Sequence, residues 1–291
     1  MAFILGLAPA FGAIAALNSW ATNGWRITAH KGWRWSEEIA VVTGGCGGIG
    51  KELVTGLVKK GVRVAILDVI PAPEEFNGNT AILYLNTDIT SEAAVAEAGA
   101  AIRRTYGEPS ILINNAGLGA AHSILDTPAE YLPKIFGVNA IALWLLAKEF
   151  LPKMIESNKG HVANINSVTS YMALPSMVDY CASKAAGLAF HEGLTCELKT
   201  KYKAYGIITS VVQPTWVRTP MSPENADEIE RKQGKMLSPA YVAEKTLEQI
   251  FSCRGGQVVL PDSLSFTSSM KGWPNWAQEL LRDVMGRASL L

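Results

Sequence analysis

The stretch VVTGGCGGIG, Val41 to Gly50, decides how the chain is read. Taken from Gly45 it fits G-x-G-x-x-G, a general dinucleotide turn. Taken from Thr43 it fits T-G-x-x-x-G-x-G, with Thr43, Gly44, Gly48 and Gly50 as the fixed positions and Gly45 and Gly47 as variable ones. The registers share Gly50 but make different demands on the rest of the chain. The second calls for a particular set of catalytic residues downstream, and the first does not. In either register the glycines let the backbone approach a pyrophosphate, and the helix opening near Gly48 turns free N–H groups and its positive dipole end towards it.

Working outward, the apolar run IAVVT leads into the glycines, and KELVTGLVKK follows with Leu53, Leu57 and Val58 at helical spacing. Gly61 ends that helix, and VRVAILD reads as a second buried strand closing on Asp68. The alternation recurs: strand 81–86, helix 91–106, strand 111–115, helix 133–154, strand 161–166, helix 179–201, strand 206–212, helix 239–251 and strand 257–261. Seven apolar strands alternating with helices predict one α/β domain over 37–262, a doubly wound parallel sheet covered on both faces. Such a sheet binds ligands at the carboxyl ends of its strands.

At 291 residues the chain suits one large domain better than two. Net charge is zero and charged residues are 18 %, below the ~25 % of average proteins, so no basic surface points to nucleic acid. Four cysteines stand far apart and four histidines lack ligand spacing, which predicts reduced thiols and no metal site. Residues 2–17 carry no charge and are followed by two tryptophans, whereas Arg26, Lys31 and Arg34 come after them. Residues 1–24 therefore read as a membrane-associating segment that leaves the following domain on the cytosolic side. A basic region before the apolar run, which a secretory signal needs, is missing from the sequence.

Asp68, at the end of the second strand, can accept both ribose hydroxyls of an adenosine and would repel a 2′-phosphate. No Lys or Arg lies among Gly45, Cys46 and Gly47 or directly after Asp68, which favours NAD without excluding NADP; Arg63 and Lys51 are the cations placed to upset that preference. Further on, Tyr180 and Lys184 stand four apart in a predicted helix and share one face. An ammonium beside a phenol favours the phenolate, so Tyr180 reads as a proton acceptor from an alcohol or donor to a ketone. Ser167, just past the strand HVANIN, is placed to hydrogen-bond the substrate oxygen. Asn139 is polar within the apolar FGVNAIALWLL, where its side chain or a freed carbonyl could hold water leading to Lys184.

TGGCGGIG, Asp68, Asp88 in NTDIT, NNAG at Asn114 to Gly117, Asn139, Ser167 and Tyr180-x-x-x-Lys184 together resemble a classical short-chain dehydrogenase/reductase with a Rossmann-type fold, over about Glu38 to Pro261. The resemblance implies a catalytic tetrad of Asn139, Ser167, Tyr180 and Lys184. It also implies cofactor contacts from Thr43, Gly44, Gly48, Ile49, Gly50, Asp68, Asp88, Ile89, Asn115, Ala116, Gly117, Pro214, Val217 and Thr219 as well as Tyr180 and Lys184. Thr215 stands where the family usually has glycine. DYCASKAAGLAFHEGL and the apolar amino terminus are similar to the membrane-associated retinol and 17β-hydroxysteroid dehydrogenase branch. That likeness implies a lipophilic alcohol or ketone as substrate, association with the endoplasmic reticulum or a lipid droplet, and a homo-oligomer joined through the helices at 133–154 and 179–201.

Residues 219–238 are polar and fall where this fold carries a substrate lid. Residues 263–291 form an amphipathic extension with Pro274 at N1 of a helix and Trp276, Leu280, Leu281 and Val284 on one side. The expected activity is hydride exchange between NAD and a lipophilic alcohol. The alternatives are an NADPH-dependent biosynthetic ketoreductase and a membrane-surface binding protein without turnover.

Overall fold

A computed structural model describes residues 32–222 and 226–289. The membrane-associating segment assigned to residues 1–24 lies outside the described residues. The seven strands are β1 (Ile39–Thr43), β2 (Arg63–Asp68), β3 (Ile82–Asn86), β4 (Ile111–Asn114), β5 (Gly160–Ile165), β6 (Ile207–Pro214) and β7 (Gly256–Leu260). They form one sheet in the order β3-β2-β1-β4-β5-β6-β7, with every neighbouring pair parallel. The order reverses between β1 and β4, which opens the crevice where such sheets take ligands.

Both faces are covered. On one side α1 (Gly48–Lys59) and α7 (Pro239–Phe251) bury Leu53, Leu57, Val242 and Ile250 against Val42, Ile66 and Ile113. On the other, α2 (Glu92–Thr105), α4 (Ala142–Ser157) and α5 (Val178–Thr200) bury Ile102, Leu146, Phe150 and Leu198 against Val41, Leu67 and Leu112. Each central strand is therefore apolar on both faces, and the near-continuous runs in the sequence follow from that. A fully buried residue such as Phe150 contributes about 1.5–3 kcal/mol by leaving water, so these two layers dominate the stability of the domain.

α4 continues a longer rod. α3 (Tyr131–Phe136) passes through a π-helical turn, Gly137–Ile141, into α4 without a break. The whole of Tyr131–Ser157 is long and apolar enough to cross a membrane, but more than half of its most apolar window is buried inside the domain. It is a core helix.

The polar region at 219–238 contains a short helix, α6 (Ala226–Gln233). One expectation for the carboxyl-terminal part needs correction. The final helix, α8 (Asn275–Ser289), starts one residue after Pro274, whose carbonyl accepts from the N–H groups of Ala277 and Gln278, so the proline caps the helix instead of occupying N1. Its apolar side chains also divide. Leu281 and Met285 pack on Met172, Leu174 and Met270, whereas Trp276, Leu280 and Val284 face outward. A stripe that looks single in projection is wide enough here to have an inner and an outer edge.

Candidate active site

The glycine turn after β1 is a compact backbone cradle. Gly44 and Gly48 both have positive φ, 64° and 51°, which side chains rarely adopt. A Cβ at Gly50 would lie 1.9 Å from the Gly44 carbonyl oxygen, so nothing larger than glycine fits there. At Gly47 a Cβ would meet only Ile70, at 3.9 Å. Gly45 behaves differently from expectation: its Cβ would stand 2.8 Å from Ile66 Cγ2 and 3.2 Å from Val54 Cγ2. It is a packing position against the sheet, and only Gly47 is free to vary. Ile49 lies in the first turn of α1, partly buried against the core layer below.

Asn115, the residue after β4, braces this cradle. Its Nδ2 donates to the carbonyls of Thr43 and Gly44, at 3.0 and 2.9 Å, while Thr43 Oγ1 accepts from the N–H groups of Asn115 and Ala116. Gly117 follows, and a Cβ there would stand 3.4 Å from Asn139 Oδ1 and 3.5 Å from Lys184 Nζ. The NNAG segment thus joins the cradle to Asn139 and Lys184.

Asp68 closes β2 beside the cradle. Its Oδ2 accepts from the Cys46 N–H at 2.9 Å and its Oδ1 from the Ile70 N–H at 3.2 Å. Burial, with the Asp68 charge adding to it, pushes the Cys46 thiol up to about 12, so that cysteine stays protonated. The two cations that could have altered cofactor choice are committed elsewhere. Arg63, at the opposite end of β2, donates to the carbonyls of Tyr106 and Glu37, and Lys51 pairs with Glu75 at 3.0 Å. Ile89 is buried, whereas Asp88 is exposed and its Oδ1 accepts from the N–H and hydroxyl of Thr90, which holds the carboxyl below its ordinary range.

Ser167, Tyr180 and Lys184 meet at the carboxyl end of β5. Lys184 is 5 % exposed; its Nζ donates to the Ile165 carbonyl at 3.2 Å and lies 5.7 Å from the centre of the Tyr180 ring. Ser167 stands beside Tyr180, close enough for its hydroxyl to favour the phenolate. The Tyr180 ring also faces Gly119, where a Cβ would come within 3.3 Å of it. The sequence led us to expect a phenol eased towards its anion by the ammonium, but burial dominates both groups. It pushes Tyr180 up to about 12, against a smaller lowering by the Ser167 hydroxyl, and it pushes Lys184 down to about 8. At neutral pH the phenol holds its proton.

Asn139 is buried in the π turn and its side chain is fully used. Oδ1 accepts from the Leu118 N–H at 2.8 Å, and Nδ2 donates to the Leu118 carbonyl and to Ser183 Oγ. The side chain therefore ties the rod to the loop after β4, and of the two routes expected for a water contact its backbone carbonyl is the one that remains. π turns of this kind displace a helix from its regular hydrogen bonding.

Pro214, Val217 and Thr219 lie on the segment leaving β6. The Pro214 carbonyl faces Ser167 Oγ at 3.4 Å, Val217 pairs with Leu237, and Thr219 Cγ2 would be 3.3 Å from a Cβ at Gly48. Met221, just beyond, reaches Gly119. This segment bridges the cradle and the Tyr180 ring. Arg218 fastens it to α6 through ion pairs with Asp227 and Glu230 at 2.9 and 2.8 Å.

The family model for short chain dehydrogenases matches residues 38–230. The chain belongs to the short-chain dehydrogenase family. This dehydrogenase is 39 % identical over 201 residues to "Dehydrogenase RED2" of Cochliobolus heterostrophus, covering 68 % of the chain and 76 % of that protein. It is 32 % identical over 271 residues to human "Short-chain dehydrogenase/reductase 3", covering 88 % and 82 %, and 30 % identical over 257 residues to human "Epidermal retinol dehydrogenase 2", covering 86 % and 82 %. Among solved structures, a short chain dehydrogenase/reductase from Burkholderia phymatum in complex with NAD superposes with a TM-score of 0.72 at 23 % identity, covering 86 % of this chain and 97 % of that one. As a member of the family the protein is an NAD(P)-dependent dehydrogenase/reductase, built on the fold that the strand alternation predicted.

Residues that sequence reading passed over also shape the site. Ser183 receives Asn139, Asn166 Nδ2 donates to the Lys184 carbonyl at 3.0 Å, and Gln213 Oε1 accepts from the Ser167 N–H at 3.1 Å. Gln213 did leave a signal, because it is the amide in an otherwise apolar strand end, SVVQP.

Proposed function

We propose that the protein is an NAD-dependent oxidoreductase that interconverts a lipophilic alcohol with its carbonyl, working at a membrane surface through residues 1–24. The observation that carries the chemistry is the meeting of Ser167, Tyr180 and Lys184 at the carboxyl end of β5, next to a glycine cradle that a single Cβ would fill.

The residues present fit a dinucleotide. Gly44, Gly48, Ile49 and Gly50 would hold the pyrophosphate at the start of α1, Asp68 the adenosine ribose, and Asp88 and Ile89 the adenine side. Ala116, Gly117, Pro214, Val217 and Thr219 would hold the nicotinamide half. When bound, the nicotinamide supplies the site that gives or receives hydride and, in its oxidised form, a positive charge. Within the protein, Ser167 steadies the substrate oxygen and Tyr180 moves the proton. With its phenol protonated, Tyr180 is ready to donate to a carbonyl; to accept from an alcohol it needs added positive charge to offset its burial. Lys184, fixed on the Ile165 carbonyl, places an ammonium 5.7 Å from the centre of that ring.

NAD rather than NADP is supported by Asp68 beside the cradle and by the engagement of Arg63 and Lys51 elsewhere. A lipophilic substrate is supported by the methionine-rich cluster of Met172, Leu174, Met177, Met270 and Met285 around the segment between Ser167 and Tyr180, since methionine adapts to irregular apolar shapes. It is also supported by the names of the relatives, which include "17-beta-hydroxysteroid dehydrogenase 13" and retinol dehydrogenases. A homo-oligomer is supported by Ile141 and Trp144, about half exposed on the rod, where Trp144 stacks edge-on with Phe190 of α5.

The test is turnover. Purified protein with NAD and a panel of hydrophobic alcohols should reduce the cofactor, and Tyr180→Phe should lower kcat by about 10²–10⁴-fold, the range for loss of a positioned acid–base group. An unchanged rate would remove Tyr180 from its role.

A further inference from the structure

Ser167 is held from behind by a chain of side chains that leads across the sheet to β7. Gln213, on β6 and 0 % exposed, has its Oε1 3.1 Å from the Ser167 backbone N and 3.1 Å from Ser170 Oγ. Its Nε2 lies 3.2 Å from the Tyr171 phenol oxygen, which in turn lies 2.6 Å from Gln257 Oε1. The directions in this chain are forced. A backbone N–H only donates, so the amide atom facing Ser167 is the oxygen. The nitrogen then faces Tyr171 and donates to it, and the one phenolic proton goes to Gln257.

A buried carboxamide costs several kcal/mol unless its atoms are paired, and here three bonds satisfy it. An apolar residue would fill the same space without that requirement. The arrangement delivers a fixed acceptor to the backbone of Ser167 at the point where β5 turns into the short Val168–Ser170 helix. Ser167 Oγ accepts from the Thr169 N–H of that turn at 3.2 Å, so hydroxyl and backbone are set together.

We propose that Gln213 is a positioning residue for the reaction, fixing the backbone at Ser167 and through it the hydroxyl that meets Tyr180 and the substrate oxygen. Tyr171 and Gln257 hold the amide in the orientation this needs. The role rests on the function proposed for Ser167, and misplacement of such a group by a fraction of an ångström lowers turnover without loosening the cofactor.

The experiment is a double-mutant cycle on the full chain, using Gln213→Met, Ser167→Ala and the pair, with kcat read at saturating NAD and cofactor affinity read by NADH fluorescence. Gln213→Met should lower kcat about tenfold and leave NADH affinity within about twofold. In the Ser167→Ala background the same change should lower kcat by less than about twofold, because the group it positions is gone. Tyr171→Phe deletes one oxygen and keeps the core volume; it should lower kcat about threefold, again only when Ser167 is present. Equal losses in both backgrounds, or none in the wild type, would overturn the proposal. A full rate in Ser167→Ala alone would instead overturn the reading of the serine, so the two failures are distinct.

Discussion

Asn115 and Gln213 are both carboxamides at the carboxyl edge of the sheet, each bracing one half of the cleft, but they hold opposite kinds of group. Asn115 donates to two carbonyls of the glycine cradle, Thr43 and Gly44, while Gln213 accepts from the N–H of Ser167. Asn115 sits at a turn and is partly open, whereas Gln213 is sealed in the sheet. The first shapes a surface that must fit a bound dinucleotide, so its loss should be read as affinity. The second shapes the approach of one hydroxyl to a reacting oxygen, so its loss should be read as rate.

The strongest challenge to this contrast is Gly50→Ala. The added Cβ would drive the Gly44 carbonyl out of place and push on Asn115 Nδ2, 2.6 Å from it. NADH affinity should fall at least about a hundredfold, equivalent to about 2.7 kcal/mol, as measured by fluorescence titration. A cradle that tolerates alanine there would not be the pyrophosphate site.

Asn115→Leu should act more mildly and in the same direction, weakening NADH about thirtyfold with kcat at saturating cofactor within about twofold, from the loss of two partly buried hydrogen bonds at about 1 kcal/mol each. A fall in kcat at unchanged affinity would erase the distinction from Gln213.

Between the two braces lies Lys184, and its effect is on stability. Burial holds its ammonium at about 8, below the ~10.4 of an exposed lysine. Between those values the unfolded chain binds a proton that the folded protein does not, so stability from this group rises with pH across the window, and below pH 8 the full penalty applies. Relative to Lys184→Met, the cofactor-free wild type should therefore gain Tm, on the order of 5 °C, between pH 7.5 and 10 by differential scanning fluorimetry. Above pH 10 the raised Tyr180 acts in the opposite sense, because the folded protein then keeps a proton that the unfolded chain releases. A wild-type Tm that does not rise relative to that of Lys184→Met between pH 7.5 and 10 would contradict the burial of the ammonium.

These cases also mark how far the residues could be read in advance. The strands agree with expectation to within about two residues, because a strand buried on both faces is an unbroken apolar run. Thr43, Gly44, Gly48, Gly50 and Asn115 come together because their roles belong to short backbone turns written into consecutive residues. Gly45 could not be read in this way, since the side chain that restricts it, Ile66, comes from the next strand. The balance at Tyr180 and Lys184 was equally hidden: four residues along a helix give their proximity but not how dry the site is. The outer and inner edges of α8 depended on the loop at Met172 to Met177, which no periodicity within the helix reveals.

The π turn at Gly137–Ile141 has one further consequence. An extra residue in a helical rod advances everything after it by about 100° of rotation, one residue of an α-helix. The turn works as a phase adjuster. It lets one rod present Asn139 to the loop at Leu118 and Phe150 and Met154 to the sheet, two faces that a regular helix would hold at a different angle. Removing a single residue there would put the end that carries Asn139 and the end packed on the sheet out of step, although neither would have changed in composition.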